Sequence, residues 1–168
     1  MAPEVVRLRV ELPTDRDWML NCHCADNYAS EPNWAGLGSY DAYRVRWMSS
    51  PQPEQFLGAL DDSLADRRTL AELWRDPGGS LVGFLWLTFA DLEGYEATLA
   101  EIRDVHVVEG RRRRGVATAM LAAAEAWASR HGAAVLRSQA GSTNLPSLGL
   151  HSGAGFAAYA SLLEKPLT

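Results

Sequence analysis

The sequence contains no long hydrophobic run and no apolar leader. Its longest apolar stretch, 81–90, is about half of the roughly 20 residues that a membrane-spanning helix requires. Charged residues interrupt the first dozen positions, which leaves no apolar segment typical of a secretory signal. We therefore expect a cytoplasmic protein that does not contact membranes.

The sequence is also poor in cysteine. Cys22 and Cys24 are separated by a single residue, too close to link distant parts of the chain, and we expect reduced thiols. His23 lies between them, but zinc sites usually need four ligands at spacings such as C-x2-C, and no second cluster is present. We predict no metal site.

The length and the charge of the chain indicate the number of domains and the class of protein. The chain has 168 residues, about one domain, and its 47% hydrophobic and 22% charged residues are ordinary for a globular protein. A net charge of −5 argues against a nucleic-acid-binding protein. Four of the 16 basic residues are consecutive, at 111–114. Without these four, the rest of the chain has 12 basic and 21 acidic residues and a net charge of −9. The sequence therefore has one concentrated site of positive charge, at 111–114.

Hydrophobic periodicity predicts a mixture of strands and helices. Strands are expected over 5–12, 69–75, 81–90, 97–108, 134–139 and 156–163, and helices over 116–130, over 146–152, after an N-cap at Thr14 and from Ser50-Pro51. The turn sequence at 76–80 predicts a hairpin, and 31–41 is expected to be a loop. This order indicates a single mixed domain, α/β or α+β.

The strand at 97–108 has no consistently apolar face if it alternates strictly. One extra residue near 103–104, a β-bulge, would place Ile102, Val105 and Val107 on one face. The residues Glu101, Arg103, Asp104 and His106 would then share the other. Bulges often adjoin active sites, so this position is of functional interest. A regular strand with one solvated face is the alternative.

The arginine run lies between a predicted strand and a predicted helix. The first N–H groups of a helix bind phosphate, and Gly115 allows the backbone to approach a ligand closely. Neighbouring guanidinium groups would add charge-assisted hydrogen bonds. The sequence therefore predicts an anionic ligand, with a pyrophosphate group favoured. The spacing is neither G-x-G-x-x-G nor a Walker A loop. A solvated basic turn or a nucleic-acid contact is the alternative.

Two motifs resemble those of the GNAT superfamily of N-acetyltransferases. Its acetyl-CoA loop, Q/R-x-x-G-x-G/A, is matched at Arg112, Gly115 and Ala117. Its second motif is matched at Asn144, Ser147, Leu150, Gly155 and Phe156, with His151 where the family usually has tyrosine. The resemblance covers about 69–160, and no motif covers 13–66.

The resemblance implies a fold and a domain plan. We expect one domain over 1–168, with a mixed central sheet of about six to seven strands, splayed fourth and fifth strands and helices on both faces. Residues 69–160 would form the CoA-binding core, and 13–66 would form the acceptor side. The resemblance also makes a homodimer plausible.

The resemblance further implies acetyl-CoA as the acyl donor. The loop that would cradle its pyrophosphate consists of Arg112, Arg113, Arg114, Gly115, Val116, Ala117 and Thr118. Arg111, or whichever arginine faces outward, would meet the 3′-phosphate. Val105 and Val107 would pair with the pantetheine arm as with an added strand, and Asn144 and Ser147 would contact its far side.

By the same resemblance, a neutral amine attacks the thioester directly. Glu101 lies eleven residues before Arg112, the offset of the general base in the histone-acetylating branch. His106 and Asp104 are alternative bases, and a solvent-facing Glu101 without a role is the plainer interpretation. His151 would be the general acid that protonates the leaving thiolate, or would only pack against CoA.

The acceptor side is rich in acidic and aromatic residues. These are Trp18, Asp26, Tyr28, Glu31, Trp34, Asp41, Tyr43 and Trp47. Trp34, Arg103 and His106 are the expected acceptor contacts. The composition suits a small cationic amine such as an aminoglycoside or a polyamine, although aromatic residues in helices are often core residues. A peptide N-terminus or lysine as acceptor, a non-catalytic acyl-CoA sensor and a nucleic-acid module are the other hypotheses.

Overall fold

The computed structural model describes residues 4–12, 14–31 and 36–165. One sheet, in the order β1-β2-β3-β4-β5, contains β1 (Val6–Arg9), β2 (Leu70–Arg75), β3 (Leu81–Leu92), β4 (Ala97–Val107) and β5 (Val135–Ser138). The pairs β1–β2, β2–β3 and β3–β4 are antiparallel, and β5 runs parallel to β4. The helices are α1 (Arg16–Ser30), α2 (Tyr40–Met48), α3 (Gln52–Ser63), α4 (Val116–Arg130) and α5 (Leu145–Gly153).

Helices cover both faces of this sheet, as predicted. Residues of α1, α2 and α3 form one hydrophobic cluster with Leu73, Phe84 and Trp86. Residues of α4 form a second cluster on the opposite face with Leu85, Leu87 and Ile102. Because β3 is covered on both sides, its residues 82–87 are buried without alternation, which is typical of a strand enclosed in this way.

The β2–β3 hairpin and α4 confirm two further predictions. In the hairpin turn, the Asp76 carboxylate accepts a hydrogen bond from the Ser80 N–H at 2.9 Å. Helix α4 has the predicted bounds, and its buried face includes Met120 and Ala124. The Trp127 indole N–H donates to a main-chain carbonyl, that of Arg68, at 2.7 Å.

Helix α2 was not predicted, and its start overlaps the expected loop at 31–41. Only Tyr43 and Trp47 are buried among its nine residues, so the sequence shows too short an apolar stripe to reveal a helix. Ser39 begins it by accepting a hydrogen bond from the Ala42 N–H at 3.3 Å. The predicted cap of α1 is also displaced by one residue, to Asp15.

The predicted strand at 156–163 is wrong, and the sheet therefore has five strands rather than six or seven. Residues 156–165 have no regular secondary structure, and Tyr159, Leu162 and Leu163 are exposed. The segment contains large apolar residues, but none of the described strands pairs with it, and β5 pairs only with β4. Without the hydrogen bonds of a neighbouring strand, nothing offsets the entropy of ordering another strand.

Gly83 gives a test of the packing between β3, β4 and α4. A Cβ at this position would lie 2.3 Å from Met120 Cε and 2.5 Å from the main-chain oxygen of His106. We expect Gly83→Ala to lower the free energy of unfolding by about 1–3 kcal/mol, as overpacking does. Urea denaturation followed by tryptophan fluorescence measures it.

Gly58 provides the matched control, because it is exposed in α3 and a Cβ there has no neighbour within 4 Å. Gly58→Ala should leave stability unchanged or raise it by up to about 1 kcal/mol through helix propensity. Equal stability of the two variants would contradict the packing described for Gly83.

Candidate active site

A wedge opens between β4 and β5. The two strands pair only from Leu99↔Val135 to Ile102↔Ser138, whereas β4 continues to Val107. We call the opening beyond Ile102 and Ser138 the wedge, and this last rung its vertex. Because β5 itself ends at Ser138, the end of pairing does not test the predicted splaying of the fourth and fifth strands, which stays a prediction.

The edge of β4 that faces the wedge carries backbone groups that do not pair with another strand. The Val108 N–H donates to the Val82 carbonyl oxygen of β3 at 3.1 Å. Because orientation alternates along an antiparallel strand, the backbone groups of Val107 and Val105 are directed away from β3 and towards the wedge. The Val107 carbonyl accepts a hydrogen bond from Arg112 Nε at 3.0 Å.

The predicted bulge is present in β4. Trp86 is opposite Asp104 and Leu87 is opposite Ile102, so Arg103 is the extra residue. Val105 and Val107 consequently pack on the α4 side with Ile102. Asp104 and His106 are directed to the other side of the sheet, where they meet α1.

The arginine loop, residues 111–118, comprises the end of the connection from β4 and the first residues of α4. Gly115 and Arg113 both have positive φ angles, 79° and 61°, which turn the chain into the helix. Within the described residues, no hydrogen bond is formed by the backbone N–H groups of 113–118. Unsatisfied N–H groups at a helix start, with the dipole behind them, favour an anion.

The four arginine side chains of this loop are used in different ways. Arg111 pairs with Asp76 in the β2–β3 turn, and Arg112 binds the Val107 carbonyl. Arg112, Arg113 and Arg114 are exposed. Of these, Arg113 and Arg114 have no side-chain partner among those described above, and the arginine that meets the 3′-phosphate stays a prediction.

Glu101 and Arg103 lie together near the vertex. Arg103 donates to the Glu101 carboxylate at 2.9 Å, and its guanidinium stacks 5.7 Å from the centre of the Trp86 ring. The Glu101 side chain is 31% exposed. This carboxylate is thus accessible, and a cation holds it in place.

Two histidine–aspartate pairs join β4 to α1. His23 Nδ1 lies 2.7 Å from Asp104 Oδ2, and His106 Nδ1 lies 2.9 Å from Asp26 Oδ2. His106 and Asp104 are almost fully buried. Burial and the neighbouring Asp104 raise the pKa of Asp26 from 3.8 to about 6, although its bond to His106 acts in the opposite direction. We call these four residues the histidine–aspartate network.

The second GNAT-like motif forms α5 and its start. Asn144 caps the helix by accepting a hydrogen bond from the Ser147 N–H at 3.3 Å. His151 is buried, with Nδ1 2.8 Å from the Ser147 carbonyl oxygen and Nε2 2.8 Å from Ser138 Oγ. Both ring nitrogens are therefore occupied by the protein itself.

The expected acceptor-side residues have different positions. Tyr43 and Trp47 are buried in the core, which supports the plainer interpretation for both. Trp18 lies edge-on to His106, with ring centres 6.2 Å apart. Asp41 is exposed on α2, and Trp34 lies outside the described residues.

Cys22 and Cys24 are unpaired and buried. Burial raises the pKa of the Cys22 thiol, which keeps it protonated and unreactive. Among residues 4–12, 14–31 and 36–165, no group of three or more His, Cys, Asp or Glu side chains is placed to hold a metal ion. None of the described helices is long and apolar enough to cross a membrane.

Comparison with known proteins identifies the family. The model of the GNAT acetyltransferase family matches residues 38–156, well over half of the chain. The chain belongs to this family. The wedge, the arginine loop and α5 all lie within or at the border of the matched region.

Two relatives carry the name aminoglycoside N(6')-acetyltransferase type 1. The protein from Serratia marcescens is 29% identical over 124 residues, 72% of this chain and 85% of its own length. That from Klebsiella aerogenes is 35% identical over 95 residues, 54% of this chain and 62% of its own length. The solved structure of AAC(6')-Iy with the bisubstrate analogue CoA-S-monomethyl-acetylneamine shares the fold, with a TM-score of 0.61 at 15% identity over 98% of this chain and 97% of that one.

Three residues of the site were missed or misjudged from the sequence. His23 was considered only as part of a Cys-His-Cys triplet, and its pairing with Asp104 was not foreseen. Asp26 was grouped with general acidic lining rather than with His106. Ser138 was predicted only as a strand residue, and no local signal marks it as the partner of His151.

The pKa of Asp26 predicts how stability depends on pH. Between about pH 4 and pH 6 the folded protein keeps a proton on Asp26 that the unfolded chain releases. The contribution of this group is therefore present at low pH and is lost as the pH rises through about 6. Asp26→Asn should remove this decline, so its melting temperature relative to the parent should rise from pH 4 to pH 7.

Thermal unfolding in a series of buffers measures the effect. The matched control is Asp17→Asn, which removes an exposed carboxylate from the same helix and shows how much of the effect comes from the loss of a charge alone. A difference for Asp26→Asn that is constant with pH would contradict the raised pKa.

Proposed function

We propose that this acetyltransferase transfers the acetyl group of acetyl-CoA to a primary amine of a small cationic molecule, of the aminoglycoside or polyamine type. One observation carries the proposal: the open edge of β4 is joined by residues 108–115 to a helix whose first N–H groups are unsatisfied. We infer that the helix start would bind phosphates and that the strand edge would bind an extended arm.

The residues present fit acetyl-CoA. The N–H groups of 113–118 and the side chains of Arg113 and Arg114 would hold its phosphates. The backbone of Val107 and Val105 would hold the amide-bearing arm by strand-like hydrogen bonds. When bound, acetyl-CoA supplies an acetyl group activated as a thioester. The likeness to AAC(6')-Iy, solved with a CoA-containing analogue, supports this choice of donor.

The acceptor is proposed to lie on the α1 side of β4. Carboxylates of Glu101, Asp104 and Asp26 are gathered there, and the side chain of Asp26 is 31% exposed. Negative charge at the site attracts a cationic amine and raises its local concentration. The names of the two relatives support a small-molecule amine over a protein substrate.

Two residues of β4 are candidates for the base that removes the proton of the amine. Glu101 is the proposed general base, with Arg103 keeping its carboxylate in position. His106 is the alternative, because a carboxylate bound to Nδ1 is the arrangement that prepares Nε2 to accept a proton. Asp26 would then orient the ring rather than contact the amine.

Substitution of each candidate base distinguishes them. We expect Glu101→Gln to lower kcat by about 100-fold or more with an amine acceptor, since general bases contribute about 10²–10⁴. His106→Gln should cost much less if it only orients the acceptor. The assay is release of the CoA thiol with acetyl-CoA and a panel of an aminoglycoside, a polyamine and a lysine peptide.

Glu125→Gln is the control, an exposed glutamate on α4. A large loss for His106→Gln with full activity of Glu101→Gln would transfer the role of base to His106. A parent protein that binds acetyl-CoA but releases no thiol with any amine would instead be a sensor.

The arginine loop is tested by binding. Arg113→Ala combined with Arg114→Ala should weaken CoA affinity about tenfold or more, because hydrogen bonds to charged groups contribute about 1.5–3 kcal/mol each. The loss should be larger at low salt than at high salt. Isothermal titration calorimetry with CoA measures both, and Arg67→Ala, an exposed arginine outside the site, is the control. Unchanged affinity of the double variant would contradict the phosphate site.

A further inference from the structure

The imidazole of His151 has no nitrogen available for a substrate. Its Nδ1 lies 2.8 Å from the Ser147 carbonyl oxygen, and a carbonyl only accepts, so Nδ1 carries a hydrogen. Its Nε2 lies 2.8 Å from Ser138 Oγ. The residue is 8% exposed and packs edge-on against Phe156. A proton that leaves His151 from Nε2 must therefore pass through Ser138.

Ser138 stands at the vertex of the wedge. It is the last residue of β5 and pairs with Ile102 in the final rung before the strands separate. A hydroxyl has one proton to donate and two lone pairs to accept. When Nε2 is protonated and donates to Oγ, the hydroxyl proton is left to be donated to another acceptor at the vertex.

A donor held at the arginine loop and along the edge of β4 would have its reacting end near this vertex. From Val107, beside the arginine loop, to Ile102 there are five residues, about 17 Å at about 3.3 Å per residue. An elongated donor with its phosphates at the arginine loop and its arm along Val107 and Val105 therefore extends towards Ser138.

We propose that the Ser138 hydroxyl protonates the leaving sulfur, and that His151 is a positioning residue that resupplies this proton. The inference rests on the proposed acetyl transfer. In this proposal Ser138 is the catalytic residue, because its hydroxyl contacts the sulfur. His151, in the second motif, supplies the proton without contacting the sulfur itself.

The proton balance closes without another reactant. The amine nitrogen bonds to the carbonyl carbon, the C–S bond breaks and its electron pair moves to sulfur. Ser138 gives its proton to sulfur while Oγ takes the proton of the His151 imidazolium from Nε2. The surplus proton of the amine goes to the base on β4. After the thiol has left, Nε2 of His151 regains a proton from solvent through the Ser138 hydroxyl, and the base on β4 releases its proton to solvent.

Changing the leaving atom tests this step. Ser138→Ala should lower kcat with acetyl-CoA by about 10–100-fold, yet by roughly threefold or less with acetyl-seleno-CoA, whose selenolate leaves without needing a proton. The KM for both donors should stay close to the parent value. Ser138→Thr keeps the hydroxyl and should restore most of the rate.

Ser152→Ala is the matched control, an exposed serine beside His151 on α5. If Ser138→Ala loses the same factor with both donors, the hydroxyl only fixes the ring, and the proposal is wrong. Failure of Ser138→Thr to exceed Ser138→Ala would lead to the same conclusion.

A binding measurement tests the contact without turnover. The chain has four histidines, so ¹⁵N spectra of the imidazoles are simple, and His151→Gln identifies the signals of His151. Added CoA should shift Nε2 of His151, whereas desulfo-CoA should not, and Ser138→Ala should abolish the difference. Equal spectra with CoA and desulfo-CoA would overturn the proposal. If the parent acetylates no amine, the proposed function fails, and this titration still decides whether Ser138 meets the sulfur.

Discussion

One extra residue in β4 determines how the site is built. Up to Ile102 the strand pairs with β5 and follows the alternation set by β3. At Arg103 the alternation is reset, and every later side chain changes face. The same insertion therefore directs Asp104 and His106 to α1, places Val105 and Val107 against the α4 side, and coincides with the end of pairing to β5. A regular strand would have exchanged these two sets of residues.

The polar groups that the bulge directs inward are stable because each has a partner. A carboxylate as buried as Asp104, whose side chain is 4% exposed, is costly unless it is hydrogen-bonded, and His23 supplies that bond. His106 is bonded to Asp26 in the same way. The sheet thus separates two kinds of chemistry: titratable side chains on the α1 face, and the hydroxyl–imidazole pair of Ser138 and His151 at the far strand.

Local signals made part of this arrangement predictable. The hairpin turn at 76–80, the bounds of α4 and the bulge near 103–104 follow from turn residues and from the phase of apolar residues along a single segment. Helix α2 could not be predicted in this way, because only two of its residues face the core. The strand at 156–163 was predicted from its own residues, although a strand also depends on a neighbouring edge.

The hydrogen-bond partners of the site residues could not be predicted from the sequence. His23 and Asp104 are 81 residues apart in sequence, and His106 and Asp26 are 80 apart. Such pairs are created by the packing of α1 on β4, which the local periodicity of either segment does not contain. The sequence predicted which residue types lie on β4. Which of them form hydrogen-bonded pairs with α1 depends on the tertiary fold.

The contact between Arg111 and Asp76 has a consequence for ligand affinity. Asp76 belongs to a hairpin turn that is formed by its own hydrogen bonds, so the arginine loop is attached to a rigid part of the sheet. The conformational entropy of ordering this end of the loop is lost once, when the chain folds, and not again each time a ligand binds. A turn with no direct role in recognition thereby contributes to the preorganisation of the proposed anion site.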